Sequence, residues 1–195
     1  MVTQSLPYIT PEQYLEFDRN AEYKNEYIFG EIVCMAGGSL PHCVIAANAG
    51  CELGNRLLKR TCSVLGSLMR VAVDNKSGYL YPDVSVVCGA PEFADEHDDT
   101  LTNPKLVVEV LSPTTQEYDL GIKARLYLKV PSLSDLVIIE QDRIWIEHWH
   151  RSADGGWKNT VLEDPDGILN IESLNCRIPV AAIYLGVEFP GAQKL

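Results

Sequence analysis

Three residues in the middle of the chain combine types that do chemistry together. Asp83 stands in Tyr81-Pro82-Asp83-Val84-Ser85-Val86-Val87, Glu109 in Leu106-Val107-Val108-Glu109-Val110-Leu111, and Lys123 in the helical segment that follows. Both runs are short and rich in valine, the mark of buried strands. A carboxylate in such a strand is costly unless a cation or hydrogen-bond donors satisfy it. Two of them on neighbouring strands also repel each other. A shared divalent cation removes both problems, and with a lysine nearby the set outlines a metal-dependent hydrolase site. Each residue has a plain structural reading as well. Asp83 could be a turn acid at a strand edge, and Glu109 a buried acid held by backbone amides or an arginine. Lys123 could be the surface partner of Asp119, four residues earlier on the same helix. Lys105 and Arg125 are less well placed cations.

The elements that must position these residues can be read from caps, turns and periodicity. Thr10-Pro11-Glu12 starts a helix that runs to about Asp18. Glu26–Phe29 and Glu31–Met35 flank Gly30 as a hairpin. Pro41 and His42 open a long helix to about Lys59. Strands are expected at Cys62–Leu65, Met69–Asp74, Leu80–Val87 and Lys105–Leu111. Between the last two lies an acidic loop, Pro91 to Thr102, whose acids lack calcium-loop spacing and read as a solvated insertion. Ser112–Thr115 is a sharp turn, and a helix from Glu117 to about Val130 stops at Pro131. Leu136–Glu140 and Ile144–His150 form a second hairpin, followed by a strand at Lys158–Leu162 and a short helix at Pro179–Tyr184. The order predicts one domain over residues 1–195, of α/β or α+β class. It is a mixed sheet flanked by helices with a β-rich C-terminal part.

Composition bounds the partners. Sixteen basic and 27 acidic residues give a net charge of −11, which argues against a dedicated high-affinity duplex binder. It does not exclude a nuclease, because a bound metal can supply local positive charge. Cys34, Cys43, Cys51, Cys62, Cys88 and Cys176 form no C-x-x-C pair, and read as free buried thiols in a reducing cytoplasm. Met1 to Tyr8 carries no signal-peptide pattern and no segment has transmembrane length, so a soluble cytoplasmic protein without a membrane partner is expected.

The chain resembles a known family at this point. Tyr81-Pro82-Asp83-Val84, then Val108-Glu109-Val110-Leu111-Ser112-Pro113-Thr114, then Tyr118-Asp119, Lys123 and Tyr127 are similar to the Uma-type family of restriction endonuclease-like proteins, within the PD-(D/E)XK nuclease superfamily. Phe29-Gly30-Glu31-Ile32 with Met35, and His42, extend the likeness over roughly residues 10 to 185. The resemblance implies a restriction-endonuclease-like fold in which Asp83 and Glu109 are metal carboxylates. The superfamily pattern places a lysine two residues after Glu109, where this chain has Leu111. Lys123 matches the position to which the family has moved it.

The same resemblance makes Glu31 a further site acid, with a solvent-facing strand residue as its plain alternative. His42 orients substrate or metal, or else makes a structural hydrogen bond at a helix start. Gln116 and Tyr127 are lesser cleft candidates. His148 and His150 share a strand face but lack an evident third ligand, and read as strand surface. The main hypothesis is a Mg²⁺- or Mn²⁺-dependent endonuclease acting on DNA, with the metal on Asp83, Glu109 and the Val110 carbonyl. Its rival is a nuclease-fold module without turnover, for binding or regulation. A homodimer is expected, because Ile144, Trp145, Ile146 and Trp149 give the second hairpin two apolar faces that one small core cannot cover.

Overall fold

The computed structural model describes residues 8–35, 37–73, 76–112 and 118–189. Thr10 opens α1 (Pro11–Asn20) through a reciprocal capping box with Gln13. β1 (Asn25–Ile28) and β2 (Glu31–Cys34) pair as the expected hairpin. Its two-residue turn is Phe29 (φ 49°) and Gly30 (φ 94°); a tight hairpin needs left-handed backbone at both positions. Ser39 caps α2 (Leu40–Leu57) by accepting the His42 N–H.

Residues 80–87 are two strands rather than one. β5 (Gly78–Leu80) and β6 (Val84–Cys88) belong to different sheets. Pro82 lies between them and has no N–H for a ladder, so the chain crosses from sheet to sheet there. A five-stranded sheet has the order β2-β1-β5-β4-β7, with β4 (Arg70–Val73) parallel to β7 (Thr100–Leu101). A six-stranded sheet has the order β11-β10-β9-β8-β6-β3. Its remaining strands are β3 (Cys62–Gly66), β8 (Leu106–Leu111), β9 (Asp135–Glu140), β10 (Ile146–Arg151) and β11 (Trp157–Leu162). Only β8 and β9 run parallel within it. Their crossover holds a π-helical turn, Asp119–Lys123, running directly into the single α-turn α3 (Ala124–Tyr127). The helix expected from Glu117 to about Val130 is present over the described residues 118–127, but its first part winds as a π turn, with Gly121 a weak helix former inside it. The tail adds an unforeseen hairpin, β12 (Ile168–Ile171) and β13 (Cys176–Pro179), before α4 (Val180–Ile183).

The six-stranded sheet is buried on both faces. Val84, Val86, Val108, Val110, Val137, Ile139 and Ile146 pack on one side against Ile45, Ala49, Leu53 and Leu57 of α2 and against the β12–β13 hairpin. Val87, Val107, Leu111, Leu136 and Ile138 pack on the other side, against the five-stranded sheet and α3. Trp145, Trp149 and Trp157 lean on this second core. The two faces of the second hairpin are therefore both covered within one chain, which removes the packing argument for a dimer. α1 closes the outer side of the five-stranded sheet through Tyr14, stacked on Tyr27 and Tyr79 with centroids 5.1 and 5.4 Å away.

Three further expectations need correction. Cys62 and Cys88 face each other across the β3–β6 ladder and are joined in a disulfide. Cys34, Cys43 and Cys51 are exposed, and only Cys176 is a buried free thiol. The acidic loop is not simply solvated. Arg19 holds Asp95 and Asp99, both at 2.7 Å, and buried Arg70 reaches Asp99 at 3.0 Å. Arg70 also pairs with buried Asp18 at 2.9 Å, whose same oxygen accepts the Tyr81 hydroxyl. His148 is buried rather than surface, with its Nε2 at 2.8 Å from Asp135.

Candidate active site

The site begins with the register of two strands. Val84 pairs with Val108 and Ser85 with Val107, and the β6–β8 ladder ends there. Asp83 stands just outside that end of the ladder, next to Val84, while Glu109 follows Val108 within β8. The Val110 N–H, left without a strand partner on that side, donates to Asp83 Oδ2 at 2.8 Å. The N–H and C=O of one strand residue point the same way, so the Val110 carbonyl is directed to the same edge. The other Asp83 oxygen lies 2.9 Å from His42 Nε2. Ser39 places that imidazole by capping α2, and its own hydroxyl donates to Gln141 at 2.6 Å, at the end of β9. His42 Nδ1 is buried and has no hydrogen-bond partner among the described residues.

Lys123 completes the cluster from the π turn. Its ammonium lies 2.9 Å from Glu109 Oε1, 3.1 Å from Glu26 Oε1 and 3.3 Å from Asp119 Oδ1. Lysine, Glu26 and Glu109 are all buried. The Tyr127 hydroxyl donates to Glu109 at 2.7 Å, the Tyr118 hydroxyl to Glu26 at 3.0 Å and the Tyr81 N–H to Glu26 at 2.9 Å. The Asp119–Lys123 pair exists, but as part of this buried group and not as a surface contact.

Charge in the cluster is unbalanced. Four carboxylates, Glu26, Asp83, Glu109 and Asp119, face one ammonium and one imidazole. Burial pushes the Glu109 carboxyl up to about 8, against the pull of Lys123 and with help from Asp83, Asp119 and Glu26. Burial also works against the Lys123 charge, but Glu109, Glu26 and Asp119 together outweigh it and hold the amine protonated. The hydrogen bond to Asp83 raises His42. Burial raises Tyr127 and Tyr118, and the carboxylates they face, Glu109 and Glu26, raise them further.

This crowding of buried carboxyl groups, with Glu109 pushed up to about 8, fits a divalent cation that would hold Glu109 ionised. The groups that could hold it are the Asp83 and Glu109 carboxylates, with the Val110 carbonyl on the β8 strand that carries Glu109. Among the described residues no three carboxylate, histidine or cysteine side chains form a ready cage. Two carboxylates plus a carbonyl, with water and phosphate completing the shell, is the manner of Mg²⁺ rather than of a dedicated cage.

The structure thus brings Asp83, Glu109, Val110, Lys123, His42 and Tyr127 together. Glu31 is not among them. It opposes Ile28 in the β1–β2 ladder, beyond Glu26 toward the turn, and is solvent-exposed. Gln116 lies outside the described residues. Lys105 immediately precedes β8 at the end away from Glu109, and Arg125 is exposed on α3. Sequence reading missed Glu26. No sequence signal marked it as Glu109 was marked: Asn25-Glu26-Tyr27-Ile28 is not a continuous apolar run, and only the fold buries the strand at every position.

Comparison with known proteins gives the family and the fold. Residues 11–181 match the model of the Uma2 family, described as "Putative restriction endonuclease". The uncharacterized protein slr1290 of Synechocystis sp. is 34% identical over 183 residues, covering 94% of this chain and 95% of its own. A second uncharacterized Synechocystis protein, sll1609, is 32% identical over 162 residues, covering 83% and 92%. A crystal structure from Anabaena variabilis, described as "a putative nuclease belonging to DUF820", superposes with a TM-score of 0.72 at 17% identity, over 90% of this chain and 97% of that one. At that identity the match speaks for the fold. With the family pattern spanning both strands, the π turn and the capped helix that build the site, the chain belongs to the Uma2 family of restriction endonuclease-like proteins.

Proposed function

We propose that this protein is a Mg²⁺- or Mn²⁺-dependent endonuclease that hydrolyses phosphodiester bonds in DNA. The observation that carries the reading is the convergence of Asp83, the Val110 backbone, Glu109 and Lys123 at one strand edge. Bound at that edge, the cation would polarise the scissile phosphate and lower the pKa of a water molecule. The chain's own residues prepare the rest. Val110 N–H and His42 fix the Asp83 carboxylate from two sides. Tyr127 fixes Glu109. Lys123 is held protonated by its carboxylates, so its role is to stabilise charge on the phosphate rather than to take a proton.

A second reading, a nuclease-fold binding or regulatory module without turnover, has one observation in its favour. Many basic side chains are engaged by groups of the same chain: Arg19, Arg56, Arg70 and Arg143 by acids, Arg60 and Arg151 by backbone carbonyls. The assay that separates the two is cleavage of plasmid and oligonucleotide DNA with and without Mg²⁺ or Mn²⁺, beside the Asp83→Asn variant. The nuclease reading expects metal-dependent cleavage that Asp83→Asn abolishes. Identical products from wild type and variant, or none from either, leave the module.

A further inference from the structure

We infer that the cavity beside His148 is a second ligand site, for a small neutral molecule rich in hydroxyl groups, of the sugar class. Its volume is about 470 Å³, within the range of small-molecule clefts. It lies on the sheet face opposite the candidate active site. Along β9, Val137 and Ile139 pack toward α2, while Leu136 and Ile138 pack toward α3. Asp135 alternates with Leu136 and so shares the side of Val137. Glu109 pairs with Ile138, on the other side.

The cavity wall holds a buried and oriented imidazole. Both Asp135 oxygens are in use: Oδ1 lies 2.8 Å from His148 Nε2, and Oδ2 accepts from the Ser173 hydroxyl. An ionised carboxylate only accepts, so His148 Nε2 carries the proton. The residue is 5% exposed, lines the cavity, and its Nδ1 takes no hydrogen bond among the described residues. In the neutral ring that nitrogen is an acceptor. Around it stand groups of the same kind. Thr160 is opposite His148 across the β10–β11 ladder. The His150 ring lies 5.6 Å from the His148 ring. Asn170 of β12 and Glu172, which follows it, complete the lining.

This lining selects against the other ligand classes. Asp135 and Glu172 repel an anion, and the one guanidinium of the lining residues, that of Arg151, is taken by the Leu128, Val130 and Leu133 carbonyls. Among the described residues no three acid, histidine or cysteine side chains form a metal cage. Leu162 and Ile168 are the two apolar side chains of the lining, too few for an apolar ligand and enough for the C–H face of one ring. A hydroxyl group both donates and accepts, so a molecule carrying several can satisfy imidazole, carboxylate, amide and threonine hydroxyl together.

The probes are D-ribose, D-glucose and D-galactose, with inorganic phosphate beside them, added to the full chain. The readout is the imidazole ¹H–¹⁵N nuclear magnetic resonance signals of His148 and His150. At least one sugar is expected to shift both rings saturably, while phosphate does not. Thr160→Val and Asn170→Ala alter exposed positions, so the melting temperature should hold while sugar binding weakens about tenfold, the worth of one hydrogen bond. Should Asn170→Ala fail to fold, Asn170→Ser takes its place with the same expectation. Asp83→Asn should bind the sugar as wild type does. No saturable shift from any of the three sugars overturns the proposal and leaves Asp135, His148 and Ser173 as a structural tie. A shift from phosphate instead overturns it in favour of an anion. Undiminished binding in both cavity variants, or its loss in Asp83→Asn, overturns it by placing the sugar elsewhere.

Discussion

At Lys123 the difference between a surface residue and a buried one decides what a mutation does. On an exposed helix alanine would be neutral or better, and sequence reading expects an unchanged melting temperature for Lys123→Ala. With the amine buried among Glu26, Glu109 and Asp119, its loss strands carboxylates, and metal-free Lys123→Ala should be less stable by about 3–5 kcal/mol. Its cleavage rate should fall on the order of a hundredfold, the loss of about 3 kcal/mol of charge stabilisation in the transition state. Unchanged stability by chemical denaturation would contradict the burial. Glu109 gives a pH test of the same cluster. Its folded-state value of about 8 lies above the ordinary 4.5. Below pH 4.5 both states hold the proton. Between 4.5 and 8 the unfolded chain loses it first, so metal-free stability falls as pH rises through that window, by on the order of 4 kcal/mol in all. Glu109→Gln should flatten this slope; an equal slope in both would assign it elsewhere. The acid–acid–lysine set was legible because charge in an apolar run is conspicuous. Glu26 was not, since an acid at the start of a hairpin strand reads equally well as solvent-facing, and only the sheet-to-sheet packing buries it.

At the scale of elements, caps and turns were legible because their signals are local. Thr10, Ser39 and Gly30 act within a few residues of where they stand. What escaped depends on partners distant in sequence. The break at Pro82 between β5 and β6 shows only once two sheets exist to be crossed. The Cys62–Cys88 bridge follows from β3–β6 register across a sequence separation of 26, which spacing alone does not reveal. Closing a loop of that length contributes about 3 kcal/mol by restricting the unfolded chain. A dithiol reductant should therefore lower the melting temperature of wild type and leave a Cys62→Ser, Cys88→Ser double variant unmoved at the lower value. A wild type that ignores the reductant would show that the ladder alone holds β3. Arg70 anchors another distant pairing. It is buried against Asp18 and reaches the loop through Asp99. Arg70→Ala should cost about 3–5 kcal/mol, since it leaves Asp18 buried without its cation; a loss below 1 kcal/mol would mean that the Tyr81 and Asn25 donors suffice.

For the molecule as a whole, charge sets how the proposed nuclease would meet DNA. The homodimer loses its packing argument, because two cores in one chain cover both faces of the second hairpin. What remains for it is that the proposed endonuclease would have two strands to cut, and sedimentation at micromolar concentration is the check. The net charge of −11 was legible at once, whereas the fate of the cations was not, because pairing is a tertiary property. Arg19, Arg56, Arg70, Arg143 and Lys123 are paired with acids. Arg60 and Arg151 are turned to backbone carbonyls, and Lys24 is bound to Ser67. The exposed Lys59, Arg125, Lys158 and Arg177 lie just past α2, on α3, on β11 and on β13. A protein that neutralises Z phosphates loses DNA affinity with salt at a log–log slope of about −0.9Z. With the divalent ion making the main phosphate contact, Z for side chains should be about two or fewer. Binding of a labelled oligonucleotide to the cleavage-deficient Asp83→Asn variant cannot serve, since it alters the metal edge. Wild type in Ca²⁺, a cation of similar oxygen preference, keeps that edge and is the form to titrate. Across a range of KCl at fixed Ca²⁺ the slope should be no steeper than about −2, and binding should vanish when Ca²⁺ is chelated. A slope near −6 that persists without Ca²⁺ would reveal a basic surface for DNA and reverse the assignment of the metal as the principal phosphate anchor.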